Sequence, residues 1–191
     1  MNIIMTGSTS FVGAATVREL LRRGHTVTAI VRPKSSKLDT ILEGNEEALL
    51  SGRLLVTEND LSEPEKLLEK VTKPQDVFCH FGWGGSGSAS RTDKALQEKN
   101  MEISLETIRT AKALGCKKFL FSGSQAEYGM HQDLITEDTV CEPKSLYGEA
   151  KLAMREKGEK LCDELGLRYI HARIFSAYGP GDHPWTLVES C

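Results

Sequence analysis

The apolar positions of this chain change period repeatedly. Short β-branched or aromatic runs alternate with longer stretches in which apolar residues recur every three or four positions. The runs predict strands over Asn2–Met5, Thr26–Val31, Arg53–Thr57, Asp76–Phe81, Lys118–Ser122 and Arg168–Ile174. The longer period predicts helices over Phe11–Arg23, Glu63–Val71, Thr92–Leu114 and Ser145–Leu165. Gly24, Gly115 and Gly166 each follow a helical pattern, where a left-handed cap residue is wanted. Between Pro33 and Leu50 the pattern is too weak to assign an element. Alternation of this kind with short connections predicts an α/β fold, a doubly wound, Rossmann-like parallel sheet covered on both faces. The stretch GWGGSGSAS, residues 82–90, reads as a flexible loop at the carboxyl end of a strand, which is the ligand side of such a sheet.

The first βα junction, IIMTGSTSFVG, places Gly7 and Gly13 at the first and third positions of a glycine-rich turn. Such a turn is either a tight connection or a pyrophosphate site, where a helix amino terminus offers N–H groups and a positive dipole end. Thr6, Gly7, Ser10, Phe11, Val12 and Gly13 are the candidates to hold a dinucleotide there. Ser10 stands where the middle glycine is usual. It either costs affinity or donates its hydroxyl to a phosphate oxygen. The second strand ends at Val31 and Arg32 with no acid to bind an adenine ribose. Arg32, Lys34 and Lys37 either meet a 2′-phosphate or form a solvated basic loop. This leans toward NADP and leaves NAD open.

Composition narrows the class. The chain has 191 residues, 39% hydrophobic and 27% charged, with a formal net charge of −3. That is the profile of a globular domain. It favours neither nucleic acid nor an anionic membrane as partner. No apolar run is long enough to span a bilayer, and MNIIMTG reads as strand and turn rather than leader. The five cysteines form no CxxC pair, so reduced thiols in a cytoplasmic protein are expected and no metal site is.

LYGEAKLAM carries Tyr147 and Lys151 four apart, on one helix face. Alone, this spacing fits a catalytic pair or an ordinary amphipathic helix. Upstream, FLFSGSQAEYG is a strand ending in hydroxyl residues, and downstream RIFSAYGPGD follows the next strand with turn residues. Together with TGSTSFVG, NDL (residues 59–61), VFCHFG (residues 77–82) and Asn100, these motifs resemble the extended short-chain dehydrogenase/reductases, in their nucleotide-sugar epimerase/dehydratase branch.

The resemblance implies that Asp60 contacts adenine, that Leu61, Phe81 and Gly82 line the cofactor, and that Asn100 holds a bend or water. It implies catalysis by Ser124, Tyr147 and Lys151, with a nucleotide sugar against Trp83, Ser124 and Gln125. A phenol has a pKa near 10 in water. A lysine ammonium and a positive nicotinamide favour the phenolate. Tyr147 would then exchange a proton with a sugar hydroxyl as hydride is transferred. Dehydratases of the family follow the catalytic Ser or Thr with Asp-Glu; here Gln125 and Ala126 follow, and Glu127 is displaced by one position. An epimerase or ketosugar reductase is therefore expected over a dehydratase. A non-catalytic NAD(P)-binding regulatory domain is the alternative.

Trp83 either shapes the sugar pocket or covers the sheet. The resemblance further implies a homodimer through the two long helices, with Ile103, Ile108 and Leu161 at the contact. Family members carry roughly a hundred further residues. The expected layout is thus a nucleotide-binding domain over residues 1–175 and the start of a truncated substrate domain over residues 176–191.

Overall fold

The computed structural model describes residues 1–85 and 88–181. Six strands form one sheet: β1 (Asn2–Thr6), β2 (Thr26–Val31), β3 (Leu54–Glu58), β4 (Val77–His80), β5 (Lys118–Ser124) and β6 (Arg168–Ile174). All pairings are parallel, in the order β3-β2-β1-β4-β5-β6. The helices are α1 (Phe11–Arg22), α2 (Asp39–Leu42), α3 (Glu46–Leu50), α4 (Leu67–Lys70), α5 (Lys94–Ala113) and α6 (Leu146–Leu165).

Strand side chains alternate between two buried faces, which is why the strands read as nearly continuous apolar runs. Ile3, Met5, Val27 and Ala29 join α1, α2 and α3 in one core. Ile4, Ile30, Phe78, Phe119 and Phe121 join α4, α5 and α6 in the other. On that second face, aromatic rings cross the strands in rows. Phe78, Phe119 and Tyr169 stack at 5.6 and 6.3 Å, and His80, Phe121 and His171 at 6.0 and 5.5 Å.

Several local expectations change. The weak segment after Pro33 holds α2 and α3. The helix expected over Glu63–Val71 is a 3-10 turn, Pro64–Lys66, running into α4. Asp93 caps α5 by accepting the Leu96 N–H, so Thr92 falls outside that helix. The expected loop ends in a 3-10 turn, Ser88–Thr92, while its Ser86 and Gly87 lie outside the described residues. So do residues 182–191, which include Asp182, Trp185 and Cys191 and most of the expected second region. Gly24, Gly115 and Gly166 do take left-handed φ values of +78°, +88° and +67°. Among the described residues no helix is long and apolar enough to cross a membrane, and none of their His, Cys, Asp and Glu side chains cluster as a metal site.

Candidate active site

Strand order reverses between β1 and β4, and the crevice opens at their carboxyl ends. Gly7 sits there with φ +69°, and a Cβ on it would lie 2.7 Å from the Phe81 carbonyl carbon. Gly13 lies so close behind the turn that a Cβ on it would collide with the Gly7 carbonyl oxygen. Both glycines are therefore needed by backbone contact. Ser10 is the N-cap of α1. Its hydroxyl accepts the Gly13 N–H at 3.1 Å and donates to the Gly7 carbonyl at 2.8 Å. The proton expected to reach a phosphate is directed into the turn instead.

From this turn a cleft of about 670 Å³ runs across the sheet edge to Ser122, Gly123 and Ser124 on β5 and to Tyr147 and Lys151 on α6. Its walls include Thr6, Val12, Arg32, Asp60, Leu61, Phe81, Gly82 and Trp83, as expected, and Lys37 with Arg32. Lys34 is not part of the wall. Phe11, Gly13, Asn100 and Gln125 also stand back from it. Gly13 acts through packing. Asn100 clamps the Gly84 backbone, accepting its N–H at 3.0 Å and donating to its carbonyl at 2.8 Å. Gln125 is exposed. Sequence reasoning missed the wall residues Thr9, Ile30, Asn59 and Ile174, which carry no polar motif of their own or sit beside one already named. A glycine-floored turn at the amino end of α1, opening into a cleft this size, fits a dinucleotide, and the wall from Thr6 to Val12 is where its pyrophosphate would lie.

At the far end, Lys151 is buried and donates to the Ser122 carbonyl at 2.7 Å. Its ammonium lies 3.9 Å from the centre of the Trp83 ring and 4.6 Å from that of Phe121. Trp83 is held in place by donating its indole N–H to Gln97 at 2.9 Å. Burial pushes the Lys151 pKa down to about 7, against an opposing pull from the Glu127 charge. The aromatic faces also favour the cation.

Tyr147 packs edge-on to Trp83, and the Arg91 guanidinium lies 4.9 Å over its ring. Burial raises its phenol pKa, and Glu127 adds to the rise; hydrogen bonding with Ser124 and the Arg91 charge pull the other way. The Lys151 ammonium sits 5.7 Å from the Tyr147 ring centre, turned toward Ser122.

Ser124 is the N-cap of a 3-10 turn, Gln125–Glu127, and accepts the Ala126 N–H at 3.2 Å. Glu127 is fully buried and closes the capping box by accepting the Ser124 N–H at 2.7 Å. Its carboxylate also accepts from His171 Nε2 at 2.9 Å and from Arg173 Nε at 2.9 Å. Burial alone would raise its pKa, but His171, Arg173 and the Ser124 N–H together hold it below the usual carboxylate value. Glu127 is thus committed to the turn and to β6 and does not line the cleft. The sequence signal for this network is the set Tyr169, His171 and Arg173, alternate residues of β6 that share one face.

The sheet order and the glycine turn at its switch point define a dinucleotide-binding domain of the short-chain dehydrogenase/reductase type. The chain belongs to the NAD dependent epimerase/dehydratase family, whose sequence profile matches residues 3–189. It is similar to a D-erythronate dehydrogenase of Cupriavidus necator, at 30% identity over 91% of this chain and 53% of that protein. It is also similar to a dTDP-6-deoxy-L-talose 4-dehydrogenase (NAD(+)) of Aggregatibacter actinomycetemcomitans, at 29% identity over 89% of this chain and 60% of that protein. Among solved structures, a UDP-glucose 4-epimerase from Thermotoga maritima with UDP-glucose superposes with a TM-score of 0.80 at 26% identity, covering 97% of this chain and 59% of the other. The chain thus spans little more than half the length of these relatives.

Proposed function

We propose that this chain carries the hydride-transfer half of an NAD(P)-dependent nucleotide-sugar epimerase or ketosugar reductase. The observation that carries the reading is the convergence of Ser124, Tyr147 and Lys151 on one end of a cleft whose other end is the glycine turn. A nicotinamide cofactor bound there supplies and accepts a hydride. The neutral Tyr147 phenol is the form required to protonate a carbonyl oxygen as it becomes an alkoxide. In the oxidising direction Tyr147 acts as the phenolate and takes the proton from a sugar hydroxyl, and Ser124 orients that oxygen. Lys151 supplies positive charge beside the phenolate and holds the cofactor ribose. Trp83 forms the pocket wall against which the sugar packs.

Dehydration is the weaker reading. Gln125 is exposed, Ala126 has no acid, and Glu127 is committed to His171 and Arg173. The two dehydrogenase relatives favour a reductase run in either direction. Arg32 and Lys37, both on the cleft wall with no acid at the end of β2, support NADP over NAD. We also infer a homodimer through α5 and α6, with Ile103 and Leu161 half-buried on those helices. Ile108, expected at that contact, is wholly buried in the core and takes no part in it.

The test is to incubate the full chain with NAD or NADP and a panel of UDP-, dTDP- and ADP-linked hexoses carrying deuterium at the reacting carbons. Label appearing on the nicotinamide supports hydride transfer. Tight cofactor binding with no transfer, by this chain or a longer version, would establish the regulatory alternative.

A further inference from the structure

Glu127 makes more strong contacts than its place in a turn requires. It accepts the Ser124 N–H at 2.7 Å, His171 Nε2 at 2.9 Å and Arg173 Nε at 2.9 Å, with none of its surface exposed. Arg173 is held in turn, donating to the Tyr128 hydroxyl at 2.7 Å and the Cys141 sulfur at 3.3 Å. The strand beneath is shaped to admit this unit. Gly123 pairs with Arg173 across β5 and β6. A Cβ on Gly123 would lie 2.5 Å from His171 Nε2 and 2.6 Å from Glu127 Oε1. Gly123, Glu127, His171 and Arg173 are thus one constructed site, and its outlet is the Ser124 backbone.

We propose that Glu127, held by His171 and Arg173, is a positioning residue that fixes Ser124 at the end of the cleft through the Ser124 N–H. The proposal rests on the catalytic reading of Ser124, Tyr147 and Lys151. The groups that meet the carboxylate are the Ser124 N–H, His171 Nε2 and Arg173 Nε. The short bond to Ser124 is charge-assisted, which sets that backbone more firmly than a neutral acceptor would.

The experiment is NMR of the full chain with 15N-labelled serine, with Ser124→Ala used to assign the signal. In Glu127→Gln the Ser124 amide proton is expected to move upfield from its wild-type position. An amide resonance that superimposes on the wild type overturns the proposal. The unaltered protein supplies a second reading, independent of any variant's folding. The Ser124 amide proton should lie far downfield, and an ordinary shift overturns the proposal. Gly123→Ala, which pushes the carboxylate aside and leaves its charge, should return that amide to an ordinary shift. Wild-type turnover in Tyr147→Phe would instead defeat the catalytic reading and leave the amide result standing.

Discussion

At Lys151 burial and bonding act in opposite directions. Removing the ammonium from water favours the neutral amine, while the Ser122 carbonyl, two aromatic faces and Glu127 favour the cation. A lysine poised in this way can hold a ribose and stabilise a phenolate by turns. Two outcomes are expected for the pair. Tyr147→Phe should leave the fold and cofactor affinity intact and lower turnover by about two to four orders of magnitude. Steady-state kinetics on an active substrate, with circular dichroism as the control, would show this. Lys151→Met should weaken both turnover and cofactor binding, and it also removes the donor to the Ser122 carbonyl. At the other end of the cleft, Arg32→Ala should reduce affinity for NADP more than for NAD. Calorimetric titration of both cofactors checks it, and an equal change in the two would remove Arg32 from any 2′-phosphate role.

Elements are tied together by a few backbone approaches and one buried imidazole. α1 meets the turn so closely that Gly13→Ala must displace either the helix or Gly7. The expected cost is about 2–3 kcal/mol of stability, read by denaturant unfolding, together with loss of cofactor affinity. His80 joins β1, β4 and α5, bonding to Thr6 Oγ1 at 2.9 Å and Ser104 Oγ at 3.1 Å. Burial, helped by the Lys151 charge, pushes its pKa down to about 3. The unfolded chain binds a proton at this residue below about pH 6.5, whereas the native protein does not until about pH 3. Stability should therefore fall as pH drops through that window. His80→Gln should be less stable near neutrality yet show a shallower fall, which unfolding curves at about pH 7, 6 and 5 would reveal.

For the whole molecule, two cores on one sheet make a domain whose carboxyl edge is the cleft. The outward sides of α5 and α6 carry charges such as Glu98, Glu102 and Arg155 with Ile103 half-buried among them, while Leu161 packs against the core. A dimer through these helices should sediment as a single species of twice the chain mass at micromolar concentration. Ile103→Asp should shift it to monomer, and a wild-type monomer would dismiss the interface.

The strand and helix order was legible because the sheet buries both faces and the helices bury one, so the two periods stand apart along the chain. The glycine turn and the Tyr147/Lys151 spacing were legible for a similar reason, since each is local. Local spacing also determined that Glu127 falls one residue beyond the dehydratase acid. Tertiary structure alone decided what Glu127 does instead, because His171 and Arg173 are more than forty residues away and meet it only through β5–β6 pairing. It likewise decided that Trp83 roofs Lys151, that Asn100 grips Gly84, and that Ile108 is core. It also decided how deeply the Tyr147 phenol is buried and that Lys151 turns toward Ser122. Burial and charge are properties of neighbours, and these neighbours are brought together by the sheet.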